Sequence, residues 1–141
     1  MEQGLAAKLI AEADKLSKKF RISEKRQWAI KVQAFSKTGQ WHALRALGDS
    51  RAKSPIGFKP FALAVIRGNQ PIKEIMRYIE RVAEKEDRYF LFCEARLWRR
   101  ALDEAVQMKD IARIKNVRAS CNIETDKDII AECDRAALAV D

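Results

Sequence analysis

The 141-residue sequence predicts an all-α protein, an α-solenoid of short antiparallel helical hairpins. Three observations carry this. The chain is 48% hydrophobic and rich in Ala, Leu, Lys, Arg and Glu, with only 5 glycines and 3 prolines to interrupt helices. Its apolar residues recur at spacings of three and four, and no stretch reads convincingly as a strand. Short polar turns break the pattern again and again. Helical pairs this short bury their apolar faces only by stacking on neighbours.

Taken in order, Leu5, Leu9 or Ile10, Ala13, Leu16 and Phe20 predict a helix over 2–20. Lys15, Lys18 and Lys19 load its last turn, where cations suit the helix dipole. Ser23 is the expected N-cap of the next helix, whose stripe is Trp28, Val32 and Phe35, with Ile30 and Ala34 beside it. Gly39 ends that helix as a left-handed cap. A short helix from Gln40 to Leu47 turns Trp41, Leu44 and Leu47 inward, and Gly48-Asp49-Ser50 is expected to break it.

The stretch Ser54-Pro55-Ile56-Gly57-Phe58-Lys59-Pro60-Phe61 holds two of the prolines. No helix runs through both, because each lacks an amide hydrogen and restrains the residue before it. Ile56, Phe58 and Phe61 still need burial, so the segment reads as a packed joint between two helical arrays of one solenoid spanning 1–141. A nearly all-apolar helix follows from Phe61 to Ile66 and stops at Gly68-Asn69. Pro71 opens the next helix, with Ile72, Ile75, Met76 and Ile79 as its stripe. Val82 to Glu86 reads as a turn, Asp87 as the cap of a helix carrying Tyr89 to Cys93, and Leu97 to Val106 as another helix. Asp110 opens a short helix with Ile111 and Ile114, and Thr125 caps the last. An internal echo supports repetition: the segment 35–44 resembles 92–101, each ending an apolar helix, turning, and opening the next with Trp41 or Trp98.

The net charge is +8, unevenly spread. Up to Arg81 there are 17 basic and 7 acidic residues, a balance of +10; from Val82 onward 11 basic and 13 acidic give −2. The first part suits an acidic partner, whether nucleic acid, anionic lipid or an acidic protein face. A basic helical nucleic-acid-binding domain is the alternative reading, and it rests on charge alone. Cys93, Cys121 and Cys133 fit no zinc spacing and read as free thiols of a reducing compartment, hence a cytosolic protein. No apolar run approaches the roughly 20 residues that span a bilayer, and the N-terminus has no secretory pattern. His42, the one histidine, has no partner at ligand spacing. There is no phosphate loop or nucleophile elbow. No enzyme, metal or cofactor is expected. Trp28, Trp41 and Trp98 all fall on apolar stripes and read as core.

Three stretches carry a resemblance. They are the Ser54–Phe61 segment after Lys53, the run Phe20-Arg21-Ile22 with residues 25–34, and Gly39-Gln40-Trp41 through Leu44. Residues 105–110 and the segment ending at Cys121 fit as well. Together they resemble the C-terminal region of the vacuolar protein sorting-associated protein sixteen family, from about Ala11 to the end of the chain. Arg96, where a turn glycine is expected, and the acidic stretch 82–87 depart from the pattern. The resemblance implies the end of an α-solenoid whose N-terminal β-propeller lies outside this chain. It implies a scaffold of the HOPS and CORVET tethering complexes, cytoplasmic and peripheral to late endosomal and lysosomal or vacuolar membranes. It further implies a Sec1/Munc18-like partner, vacuolar protein sorting-associated protein thirty-three. The expected contact residues are Phe20, Arg21, Arg26, Lys31 and Arg45, on the helices before the joint. Arginine suits such contacts because its fork binds carboxylates through two parallel bonds.

Overall fold

A computed structural model describes residues 4, 7–12, 14–15 and 23–140. Most of the helix expected over 2–20 therefore lies outside the described residues; those described there are helical. Beyond them the described residues form eight helices and no strand: α1 (Glu24–Lys37), α2 (Trp41–Asp49), α3 (Lys59–Arg67), α4 (Ile72–Ile79), α5 (Lys85–Glu94), α6 (Trp98–Gln107), α7 (Ile111–Ser120) and α8 (Lys127–Ala139). They fall into two compact units that meet in sequence between Arg81 and Val82. The 54–61 segment lies inside the first unit.

Local chemistry starts and stops the helices. The Ser23 hydroxyl accepts from the Arg26 amide at 3.3 Å, and the Asp110 carboxylate accepts from the Arg113 amide at 3.1 Å, both as expected of N-caps. Four helices end in one geometry. In α1 the Gln40 amide reaches back to the Phe35 carbonyl at 2.8 Å and the Gly39 amide to Ser36 at 3.3 Å. The same pair of bonds closes α3 (Gln70 to Val65, Asn69 to Ile66), α5 (Leu97 to Phe92, Arg96 to Cys93) and α6 (Asp110 to Ala105, Lys109 to Val106). This is the Schellman motif, which needs one left-handed residue. Gly39, Asn69, Arg96 and Lys109 supply it, with φ of 69°, 53°, 57° and 52°. The internal echo is thereby a structural repeat: Gly39 and Arg96 occupy the same turn position, and Trp41 and Trp98 each begin the following helix.

In the first unit α1 packs on α2 and α3, α2 on α3, and α3 on α4. Phe61, fully buried, is the centre of its core. Its ring meets Trp28 edge-on at 6.1 Å between centroids, Phe58 at 5.5 Å, and Tyr78 nearly parallel at 5.6 Å. Gly48 approaches from α2; a Cβ there would lie 3.3 Å from Phe61 and 3.4 Å from Tyr78. Gly48 therefore does not break α2. It sits buried within the helix, which runs on to Asp49, because its missing side chain lets α2 close on the ring. Gly68 serves the other end: a Cβ there would fall 2.4 Å from the Trp41 indole, which covers it. In α4, Tyr78 joins Ile75 and Ile79 in the core, while the expected stripe residue Ile72 is 61% exposed. Among the described residues the Tyr78 hydroxyl has no hydrogen-bond partner, and burial pushes its pKa up to about 12.

Arg81 clasps this core. Its guanidinium lies 3.8 Å over the Phe58 ring and donates to Asp49 Oδ1 at 3.0 Å, to the Gly48 carbonyl at 3.0 Å and to the Arg51 carbonyl at 3.4 Å. Arg77 donates to the other Asp49 oxygen at 2.6 Å. The hydrogen bond from Arg77 holds the Asp49 carboxyl below its usual range, against the opposing effect of burial.

In the second unit α5 packs on α6, α6 on α7 and α8, and α7 on α8, around Leu91, Phe92, Ala101, Leu102, Ala105, Ile114, Val117 and Cys133. Arg88 donates to Glu104 at 2.8 Å and to the Val82 and Ala83 carbonyls, tying the entry of α5 to α6. Tyr89 donates to the Arg113 carbonyl at 3.1 Å and accepts from Asn116 at 2.9 Å. Two expected caps move. The N-cap of α5 is Glu84, which places Asp87 in the first turn. The N-cap of α8 is Asp126, because the Asn122 side chain accepts from the Glu124 and Thr125 amides and holds Thr125 in a turn. Trp28 is core, whereas Trp41 and Trp98 are half-buried. Cys121 and Cys133 are buried and Cys93 half-buried, all three as free thiols.

Two measurements test these details. Arg96→Gly should raise stability by up to about 1 kcal/mol in urea unfolding, because a left-handed non-glycine residue carries roughly 1–2 kcal/mol of strain; a loss would mean the Arg96 side chain stabilises the turn. Asp49, with its folded pKa depressed, stabilises the fold above its unfolded pKa of about 3.9 and loses that contribution as pH falls through the folded value. Asp49→Asn should therefore be less stable than wild type at neutral pH, and the gap should close on acidification. A gap independent of pH would show that Asp49 acts by packing alone.

Candidate functional site

The charge boundary read from the sequence and the structural boundary coincide at Arg81/Val82. The second unit largely neutralises itself: Arg88 pairs with Glu104, Arg99 with Glu132, Arg113 with Asp110 and Arg118 with Asp134. The first unit makes similar pairs, Arg45 with Glu74, Arg51 with Glu24, Arg77 and Arg81 with Asp49, and Lys31 with Asp14. Its 7 acidic residues cannot offset 17 basic ones, so a cationic surplus stays on its surface. Exposed pairs of this kind add little stability. The surplus matters instead for attracting an acidic partner.

The expected contact residues do not form one patch. Phe20 and Arg21 lie outside the described residues. Arg26 and Lys31 are both on α1 but five positions apart, which turns them about 140° from each other around the helix. Arg26 is exposed, while Lys31 sits 3.8 Å from Asp14. Arg45 is on α2, with its fork engaged by Glu74 of α4; Nε donates to one carboxylate oxygen at 3.1 Å and Nη2 to the other. That bond, and Coulomb attraction to the same carboxylate, raise the Arg45 pKa further.

Two concavities mark the first unit. One, about 520 Å³, lies between α2 and α4 and is lined by Trp41, His42, Arg45, Pro71, Lys73 and Arg77, among others. The other, about 650 Å³, lies between α1 and α3, with Ala29, Gln33 and Lys37 on one side and Lys59, Leu63 and Arg67 on the other. Sequence reasoning missed this second groove. Its signal was present as two stripes at spacing four, 29/33/37 and 59/63/67, but only the packing of α1 on α3 makes them face one space. Among the described residues no three His, Cys, Asp or Glu side chains converge as a metal site would require. Burial raises the pKa of all three thiols, Cys133 to about 11, which makes them poor nucleophiles. No helix of the described residues is long and apolar enough to cross a membrane.

Comparison with known proteins gives a consistent family. The chain is 25% identical to the vacuolar protein sorting-associated protein 16 homolog of Drosophila melanogaster over 92% of its length, covering 15% of that protein. It is 25% identical to the homolog of the same description from Dictyostelium discoideum over 86% of its length, covering 14% of that protein. It is 28% identical to Protein VACUOLELESS1 of Arabidopsis thaliana over 70% of its length, covering 11%. The chain thus spans about a seventh of these relatives or less. No solved structure matches it. The family model described as Vps16, C-terminal region, matches residues 5–138, and the chain belongs to that family.

Proposed function

We propose that this chain is a non-catalytic scaffold segment of a class C vacuolar protein sorting complex, HOPS or CORVET, at endosomal and lysosomal or vacuolar membranes. In this reading the two helical units are consecutive parts of one α-solenoid. Within each unit, packing of each helix on the next, and of α1 on α3 and α6 on α8, supports that arrangement. The basic first unit docks a Sec1/Munc18-like subunit, vacuolar protein sorting-associated protein thirty-three, which handles the fusion proteins. Family membership over residues 5–138 carries the reading. The charge surplus confined to the first unit favours that unit as the docking side.

Arg26, Lys31 and Arg45, together with Phe20 and Arg21, are the proposed contacts. Because Arg26 and Lys31 point to opposite sides of α1, the subunit would wrap this helix or choose one side of it. Size-exclusion chromatography of the chain with the purified Sec1/Munc18-like subunit of the same organism tests both points. The two proteins should co-elute, and Arg26→Glu with Lys31→Glu should abolish co-elution. Separate elution of the wild-type proteins would refute the partner. Co-elution of the folded double variant would refute the face, and the single variants show which side of α1 is used.

A further inference from the structure

We propose that the groove between α1 and α3 is a docking site for an acidic amphipathic helix of a partner protein. Its floor is apolar, made by Val32, Ile56, Pro60, Leu63 and Ala64, with the exposed Ala29 at its edge. Its rim carries Lys37, Lys59 and Arg67, and among the described residues no acidic side chain lines it. The unit that contains it has a net charge of +10. An occupant must therefore offer apolar groups to the floor and carboxylates to the rim.

The shape selects a helix. The stripe 29/33/37 of α1 and the stripe 59/63/67 of α3 each advance eight residue steps, about 12 Å or two helical turns. A partner helix laid in such a trough reads as anchors at i, i+3, i+4 and i+7. An anionic bilayer is the poorer match, because membrane-binding helices project apolar side chains outward, and here the apolar groups form a recessed floor. The chain's own residues 15–22 are a poor match by charge, with Lys15, Lys18, Lys19 and Arg21 and no acidic residue. Lys31, on which the proposed function relies, does not line the groove, and the inference stands without that reading.

Fluorescence anisotropy with a labelled peptide tests it, the peptide placing leucines on one helical face and glutamates on the other. The whole chain should bind this peptide saturably, and affinity should fall as salt rises. A scrambled peptide of identical composition should bind at least about tenfold more weakly, since charge alone would treat the two alike. Lys37→Glu with Arg67→Glu should weaken binding about tenfold. So should Ala29→Glu, an exposed position that places a carboxylate at the groove, with the helical circular dichroism unchanged. Equal binding of the scrambled peptide, or undiminished binding by the folded Ala29→Glu variant, overturns the site. Binding of phosphatidylserine vesicles without binding of the amphipathic peptide overturns the choice of a protein partner.

Discussion

One aromatic ring organises the first unit. Phe61 meets Trp28 from α1, Phe58 from the connector and Tyr78 from α4, and Gly48 of α2 leaves the space it fills. Burying such a ring, and matching its edges and faces to others, gives more than area alone because ring quadrupoles favour these offset contacts. The consequence is that four short helices, each too short to be stable alone, share a single point of closure. Arg81 seals that point by stacking on Phe58 while capping the end of α2 through Asp49 and Gly48. The Ser54–Phe61 stretch thus serves packing: Pro60 sits in the first turn of α3, and Phe58 and Phe61 both turn inward.

The division of charge follows the division of structure. Both units pair arginines with their own carboxylates, but the second has 13 acidic residues for 11 basic ones and the first only 7 for 17. A stable scaffold does not need this imbalance. Net charge of one sign repels itself, so its value lies in what it attracts. This is why the recognition surfaces proposed above both belong to the first unit, one by resemblance to a family and one by the shape of a groove.

What the sequence disclosed was local chemistry. Ser23, Gly39 and Asp110 act through bonds to amides and carbonyls a few residues away, so a reader of the chain can see both partners. What it withheld was tertiary. Gly48 looks like a breaker because the ring it accommodates is thirteen positions on, and Ile72 looks like core because nothing nearby says that Tyr78 takes its place. Thr125 looks like a cap until Asn122 claims its amide. Arg96 breaks the glycine pattern yet keeps the turn, since two backbone bonds impose the left-handed geometry whatever the side chain. The α1–α3 groove was hidden for the same reason as Gly48: it exists only once two separate stripes are brought face to face.

Native-state amide hydrogen exchange in rising, sub-denaturing urea tests most directly whether the Phe61 ring closes the first unit as one. The slowest amides of α1, α2, α3 and α4 should converge on a common opening free energy, because no helix can leave without exposing the shared ring. Opening of α3 by itself, with α1 and α4 still protected, would contradict a core that closes on Phe61.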